Sequence, residues 1–123
     1  MSTPRNNDLA RKVLLLETRF PLALARARTL QRLGCRVLGP AGSASEAVDL
    51  LDRARPDLAL LDPKLPKRQL ARVIAALESC DVPSAFIVSD DDEPSFGHPA
   101  LPDAAFSPNA APELERLLGQ LLS

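Results

Sequence analysis

Two kinds of segment alternate along this chain. Short runs of apolar residues have no polar residue on either face, whereas longer segments carry their apolar residues at helical spacing. The short runs suit strands that are buried on both sides, as in a parallel sheet covered by helices. Strands are predicted at residues 12–16, 36–38, 58–61, 85–88 and 104–106. One-sided helices are predicted over residues 21–33, from residue 43, around residues 70–77 and from about residue 112.

The alternation of strands and one-sided helices predicts an α/β protein. Right-handed crossovers with helices on both faces favour a flavodoxin-like, three-layer α/β/α sandwich, with a five-stranded parallel sheet in the order 2-1-3-4-5. Residues 89–103 contain three prolines and a glycine. We therefore expect helix 4, between strands four and five, to be missing or reduced to a loop. Residues 1–10 are expected to be a flexible N-terminus, and residues 11–123 one domain.

Composition excludes several classes of function. Only 3% of the 123 residues are aromatic, so the core must be aliphatic. The net charge of -1 argues against a nucleic-acid partner, and no apolar run is long enough to span a membrane. We expect a cytoplasmic protein. Cys35 and Cys80 lack metal-ligand spacing and are interpreted as reduced core residues, with a regulatory disulfide as the alternative.

The most informative segment is the apolar run that ends in Asp62 and is followed by a proline-bounded turn. The first predicted strand ends in the same way, in Glu17. Sites in parallel sheets form at the carboxyl ends of strands, so Glu17 and Asp62 are expected to form an acidic pocket. Because two nearby carboxylates disfavour double ionisation, we expect a raised pKa for at least one of them.

These residues resemble the CheY-like receiver domain of two-component response regulators. The resemblance covers residues 11–122 and is firmest over Pro56–Pro66, with support from Val13–Glu17, Leu33–Val37 and Glu46–Ala47. It implies the receiver fold, a phosphoacceptor aspartate, a bound magnesium ion, a switch hydroxyl and a lysine that neutralises the phosphoryl group.

The resemblance places the phosphoacceptor at Asp62 and the first of two metal-binding acids at Glu17. The second acid falls on Thr18, which is neutral. Magnesium favours oxygen ligands that usually include carboxylates, so Mg²⁺ held by Glu17 and Asp62 is expected to bind weakly, if at all. We expect no other cofactor.

The remaining switch positions also depart from the receiver pattern. The hydroxyl falls on Val88, with Ser89 one position later, and the lysine of strand five falls on Ser107. Lys64 lies two residues after Asp62. Its ammonium either stays solvated in the loop or acts as a counter-ion for the carboxylates.

The resemblance and its departures favour a degenerate receiver, or pseudo-receiver, that acts as a protein–protein interaction module in two-component-type signalling, with weak or absent phosphorylation. The alternative is an atypical phosphoacceptor receiver that a histidine kinase phosphorylates on Asp62. An independent enzyme is disfavoured, since Lys64 stands where an aspartyl phosphatase needs a second acid. Expected partners are a histidine kinase or a downstream regulator, and a homodimer stays open.

Two further features have ordinary interpretations. The basic residues Arg26, Arg28 and Arg32 of the first helix are interpreted as a solvated face, with a docking surface as the alternative. His98 lies between Gly97 and Pro99 and is interpreted as an exposed loop residue.

Overall fold

A single parallel sheet organises the protein. The computed structural model describes residues 11–89 and 98–122. Its five strands lie in the order β2-β1-β3-β4-β5, which confirms the predicted fold class. The elements are β1 (Lys12–Leu16), α1 (Phe20–Arg32), β2 (Arg36–Ala41), α2 (Ala44–Arg53), β3 (Leu58–Leu61), α3 (Lys67–Ser79), β4 (Ser84–Val88), β5 (Ala100–Pro102), two 3-10 turns (Asp103–Phe106 and Pro108–Ala110) and α4 (Ala111–Leu122).

The sheet separates two aliphatic cores. One core contains Leu14 and Leu61 and is closed by α2 and α3. The other contains Leu15 and Leu60 and is closed by α1 and α4. Successive strand residues point to opposite faces, which explains why neighbours in one strand belong to different cores. The described residues therefore form the three layers that the sequence predicts.

The helix boundaries follow local signals in the sequence. Gly34 has a φ of +90°, the left-handed conformation that ends a helix, directly after the C-cap of α1. The Ser43 hydroxyl accepts a hydrogen bond from the Glu46 amide (3.2 Å) at the start of α2. The Glu46 carboxylate accepts from the Gly42 amide (3.4 Å) rather than from that of Ser43. The capping box is thus present in a form displaced by one residue.

Strand β2 is longer than predicted, because it continues through Gly39 and Pro40 to Ala41. Its pairing with β1 shifts register between Leu14 and Leu16. Gly39 has a φ of +101°, and a Cβ atom there would lie 2.5 Å from the Ala41 backbone nitrogen. The extension lets the Ala41 carbonyl accept a hydrogen bond from the Glu17 amide (2.9 Å), so β2 anchors the residue that follows β1.

The position predicted for the last strand was wrong. Residues 104–106 belong to a 3-10 turn, and β5 lies earlier, at Ala100–Pro102. Leu101 is the buried residue of β5 and pairs in register with Ile87 of β4. A three-residue strand with one buried side chain gives too short an apolar pattern to be separated from the neighbouring turn.

Some expectations concern residues outside the described ranges. The flexible N-terminus falls on residues 1–10, and most of the segment in which helix 4 is expected to be missing falls on residues 90–97. Among the helices of residues 11–89 and 98–122, none is both long and apolar enough to cross a membrane.

Candidate functional site

The ends of β1 and β3 bring Glu17 and Asp62 together, as predicted. The two strands are paired in register up to Leu16 and Leu61, and the Asp62 amide donates to the Leu16 carbonyl (2.9 Å). Each acidic residue is only 2% exposed. Buried carboxylates need hydrogen-bond donors or positive charges nearby, so their partners define what the pocket can do.

Both carboxylate oxygens of Asp62 accept hydrogen bonds. The Thr18 hydroxyl donates to Oδ2 (3.0 Å) and the Lys64 amide donates to Oδ1 (2.9 Å). Burial raises the pKa of Asp62, but the hydrogen bonds from the Lys64 amide and Thr18 outweigh it, so the pKa lies below its ordinary value of 3.8. The expectation of a raised pKa for at least one member of the pair is therefore not met at Asp62.

Lys64 contributes its backbone to the site and not its charge. Its side chain is exposed, and no ion pair of its ammonium occurs among the described residues. Of the two interpretations of Lys64, this arrangement fits the solvated loop lysine and not the counter-ion, because the Asp62 turn presents the Lys64 amide to the carboxylate instead.

Glu17 has two arginines as partners. Arg26 Nη1 lies 2.8 Å from Glu17 Oε1. The Arg19 amide donates to Oε2 (3.0 Å), and Arg19 Nε lies 3.4 Å from the same oxygen. Arg19 is about half exposed, with 51% of its side chain accessible, so Arg26 supplies the buried positive charge.

Arg26 is the functional residue that the sequence interpretation missed. Only 3% of the residue is exposed, so it does not belong to a solvated basic face, whereas Arg28 and Arg32 are exposed as expected. Arg26 Nη2 lies 2.5 Å from Asp103 Oδ1, and its guanidinium stands 5.5 Å from the centre of the Phe106 ring.

Helical spacing contained the signal for this burial. The buried residues Ala23, Ala27 and Leu30 of α1 share one face with Arg26. An arginine placed between small inward-facing residues has room to extend toward the sheet, where Glu17 ends the adjacent strand.

The degenerate switch positions lie at or beyond the strand ends. Val88 ends β4 and packs against the core closed by α2 and α3, and Ser89 follows it, partly buried. Ser107 is exposed, and its amide closes a turn on the Ala104 carbonyl (3.2 Å). Because β5 ends at Pro102, the residue at its carboxyl end is Asp103, an acid and not a cation.

The donor set does not fit a divalent ion. Within residues 11–89 and 98–122, no group of three or more His, Cys, Asp or Glu side chains is arranged to hold a metal. The Glu17 oxygens face two guanidinium groups, and both Asp62 oxygens accept hydrogen bonds. A magnesium ion would need oxygens that are free to coordinate it.

His98 is partly buried, contrary to the exposed position expected for it. Its Nε2 lies 3.1 Å from the Ser84 hydroxyl, and its ring centre lies 4.4 Å from that of Phe86. Burial lowers the pKa of His98, and the negative charge of Glu78 opposes that effect only in part. His98 therefore packs the start of β5 against β4.

Comparisons with known proteins find similarity to bacterial regulatory proteins over part of the chain. No protein-family model matches the chain. Over 67 residues, or 54% of its length, the chain is 33% identical to the transcriptional regulatory protein PdtaR of Mycobacterium tuberculosis. The chain spans about a third (33% and 32%) of the length of the first curated relatives that it matches.

Solved structures share the fold over nearly the whole chain. The chemotaxis protein CheY4 of Vibrio cholerae has 21% identity and a TM-score of 0.72, over 92% of this chain and 99% of that one. The response regulator PhyR of Brucella abortus has 22% identity and a TM-score of 0.69, over 92% of this chain and 48% of that one. This chain thus has the CheY-like receiver fold.

Proposed function

We propose that this receiver-fold domain is a degenerate receiver, a protein–protein interaction module of two-component-type signalling with weak or absent phosphorylation. The main observation behind this proposal is that Asp62 is only 2% exposed and that each of its carboxylate oxygens accepts a hydrogen bond. A regulatory setting agrees with the names of the relatives, a transcriptional regulatory protein and a response regulator.

The electrostatics of the pocket support this function. A carboxylate that accepts a phosphoryl group needs an accessible oxygen, and the transferred group needs positive charge to stabilise it. Arg26 is already paired with Glu17 and Asp103. Asp103 adds a negative charge at the end of β5, and Ser107, the position of the receiver lysine, is neutral. Weak or absent Mg²⁺ binding by Glu17 and Asp62 belongs to the same proposal.

The exposed side of α1 is the surface best suited to a protein partner. Phe20 is 68% exposed and Leu24 is 37% exposed, one turn apart. Arg28 continues the same row of the helix and is exposed. An acidic partner surface with an apolar centre would complement this row, such as that of a histidine kinase, a downstream regulator or a second copy of this chain.

The second candidate function is an atypical phosphoacceptor, phosphorylated on Asp62 by a histidine kinase. The lowered pKa of Asp62 favours it, because the carboxylate is ionised at neutral pH and therefore nucleophilic. The Thr18 hydroxyl belongs to an exposed residue, so rotation of this one side chain would free Oδ2.

Phosphorylation of the intact protein by a small acyl phosphate with Mg²⁺ separates the two functions. Intact-mass spectrometry is expected to show no species heavier by about 80 Da, the mass of one phosphoryl group. An ordinary receiver run in parallel establishes that the conditions phosphorylate a competent site.

A stoichiometric heavier species would favour the phosphoacceptor instead. It would have to disappear in Asp62→Ala and persist in the matched variant Asp52→Ala, whose aspartate is exposed on α2. That pair of results would contradict the proposed interaction-only function.

A further inference from the structure

We propose that Arg26 is a built-in cation that takes the place of a divalent ion, so that the acidic site is metal-independent while Arg26 is paired. This proposal rests on the proposed function only in taking Glu17 and Asp62 as the former metal pocket. It concerns cation binding and not phosphorylation, so the two are tested by different measurements.

The contacts of Arg26 are those of a bridging cation. Its two terminal nitrogens reach carboxylates at the ends of different strands, Glu17 after β1 (2.8 Å) and Asp103 after β5 (2.5 Å). A guanidinium stays protonated under all ordinary conditions, so this charge is permanent. The fold therefore supplies from a helix the positive charge that a bound ion would bring from solution.

Burial fixes the arginine in this position. Arg26 is 3% exposed, and its Nε is buried without a hydrogen-bond partner among the described residues. A buried charge that loses its partner is strongly destabilising. If Glu17 turned from Arg26 to a metal ion, the buried arginine would keep only Asp103 as a charge partner, and the side chain of Asp103 is 45% exposed.

A divalent ion would meet two obstacles at this site. It would have to compete for Glu17 oxygens that already accept from Arg26 and Arg19. It would also lie close to the fixed positive charge of Arg26, and repulsion between like charges is strong where water is largely excluded. The competition comes from Arg26 and Arg19 and the repulsion from Arg26, and both would persist if more acids were added.

The neutral residue Thr18 offers a competing explanation. On that account the site lacks only the second acid, and restoring it restores metal binding. On the present account, an acid at position 18 leaves Glu17 paired with Arg26, and metal binding stays weak. The two accounts predict opposite results for Thr18→Asp, which is suited to substitution because Thr18 is exposed.

Manganese serves as the probe, because it is paramagnetic and broadens NMR signals of nearby amides. It is added to the full-length, isotopically labelled protein while the amides of residues 17, 18, 62 and 64 are followed. The wild-type protein is expected to show no saturable broadening at these residues. Arg26→Gln is expected to bind at least about tenfold more tightly, a factor that corresponds to about 1.4 kcal/mol.

Arg32→Gln is the matched control. It removes the same charge from the same helix at an exposed position, so it is expected to behave like the wild-type protein. Thr18→Asp alone is also expected to remain without saturable broadening, whereas Thr18→Asp combined with Arg26→Gln gains it.

Saturable binding by the wild-type protein, or by Thr18→Asp alone, would overturn the proposal. The proposal would also be overturned if Arg26→Gln folded but showed no more saturable broadening by manganese than the wild-type protein. If circular dichroism shows that Arg26→Gln does not fold, the wild-type and Thr18→Asp measurements still decide. Phosphorylation of Asp62 in the mass assay would contradict the proposed function, but it would not bear on the proposal about Arg26.

Discussion

Asp62 combines two properties that are usually opposed. It is buried, which disfavours a charge, and yet its pKa is lowered. The donors supplied by Thr18 and Lys64 explain the combination, because they stabilise the carboxylate more than water loss destabilises it. The same donors take one acceptor site on each oxygen, and only 2% of the residue is exposed, so the carboxylate is well ionised but poorly accessible.

His98 gives a prediction about pH. Because the folded state lowers the pKa of His98 below 6.5, the folded state binds this proton less readily than the unfolded chain does. Its contribution to stability is therefore fully present above pH 6.5 and is lost as the pH falls through the lowered value. The free energy of unfolding by urea is expected to decrease from about pH 7.5 to about pH 5.5.

His98→Gln is the control for that measurement, since His98 is the single histidine of the chain. The glutamine cannot titrate but keeps a hydrogen-bonding group near Ser84. The free energy of unfolding of this variant is expected to change less over the same interval. An equal decrease in both proteins would assign the pH dependence to other groups.

Among single residues, those that end a strand are easier to predict from the sequence than those that contact the end of a strand from another element. Glu17 and Asp62 were predictable because each stops an apolar run. Arg26 was missed although it shares the buried face of α1, because an arginine in an amphipathic helix normally faces water. Its burial depends on a partner carboxylate, Asp103, that is remote in sequence and that only the fold brings near.

Among the elements, β2 shows how local backbone geometry extends a strand. The left-handed Gly39 lets the chain continue to Ala41, which then holds the Glu17 amide. Gly39→Ala is expected to lower the free energy of unfolding by about 1–3 kcal/mol, because an L-residue is strained at this φ. The added Cβ would also lie 2.5 Å from the Ala41 nitrogen. Urea unfolding measures the loss.

Gly119→Ala in α4 is the matched substitution, and it is expected to change the free energy of unfolding in the opposite direction. A Cβ atom at Gly119 meets nothing within 4 Å. Alanine is therefore expected to raise the free energy of unfolding by about 0.4–1 kcal/mol, by restricting the unfolded chain and favouring the helix. Equal effects at both glycines would contradict the strain assigned to position 39.

The elements themselves were predictable to the extent that their patterns are long. Strands β1 and β3 coincide with the predicted ranges, since each is a continuous apolar run buried on both faces. The last strand was misplaced because β5 and the following turn are both short and rich in small apolar residues. The last strand lies at Ala100–Pro102 because these residues pair with β4, and this pairing cannot be read from the sequence.

In the whole molecule, stability depends on two cores that the sheet keeps apart. Leu114 of α4 is fully buried in the core that also receives α1. Leu114→Ala is expected to lower the free energy of unfolding by about 2–5 kcal/mol, through lost burial and the cavity left behind. Leu24→Ala, at a position that is 37% exposed, is expected to change it by only about 0.5 kcal/mol.

Urea unfolding of both variants checks this contrast. Similar small effects would mean that α4 is not an integral part of the domain. The sheet order itself was predictable, because right-handed crossovers and one-sided helices leave few arrangements for five parallel strands. The ion pairs between segments that are distant in sequence were not predictable, because the alternation of apolar and polar positions does not show which charged residues meet.

The bridge from Arg26 to Asp103 has a consequence for biosynthesis. The two residues are separated by 77 positions, so a nascent chain on the ribosome carries the arginine long before its second carboxylate partner emerges. Until then the guanidinium has only one of its two carboxylate partners, Glu17, and water remains its best solvent. The first helix is therefore expected to settle onto the sheet late, after most of the polypeptide has been synthesised.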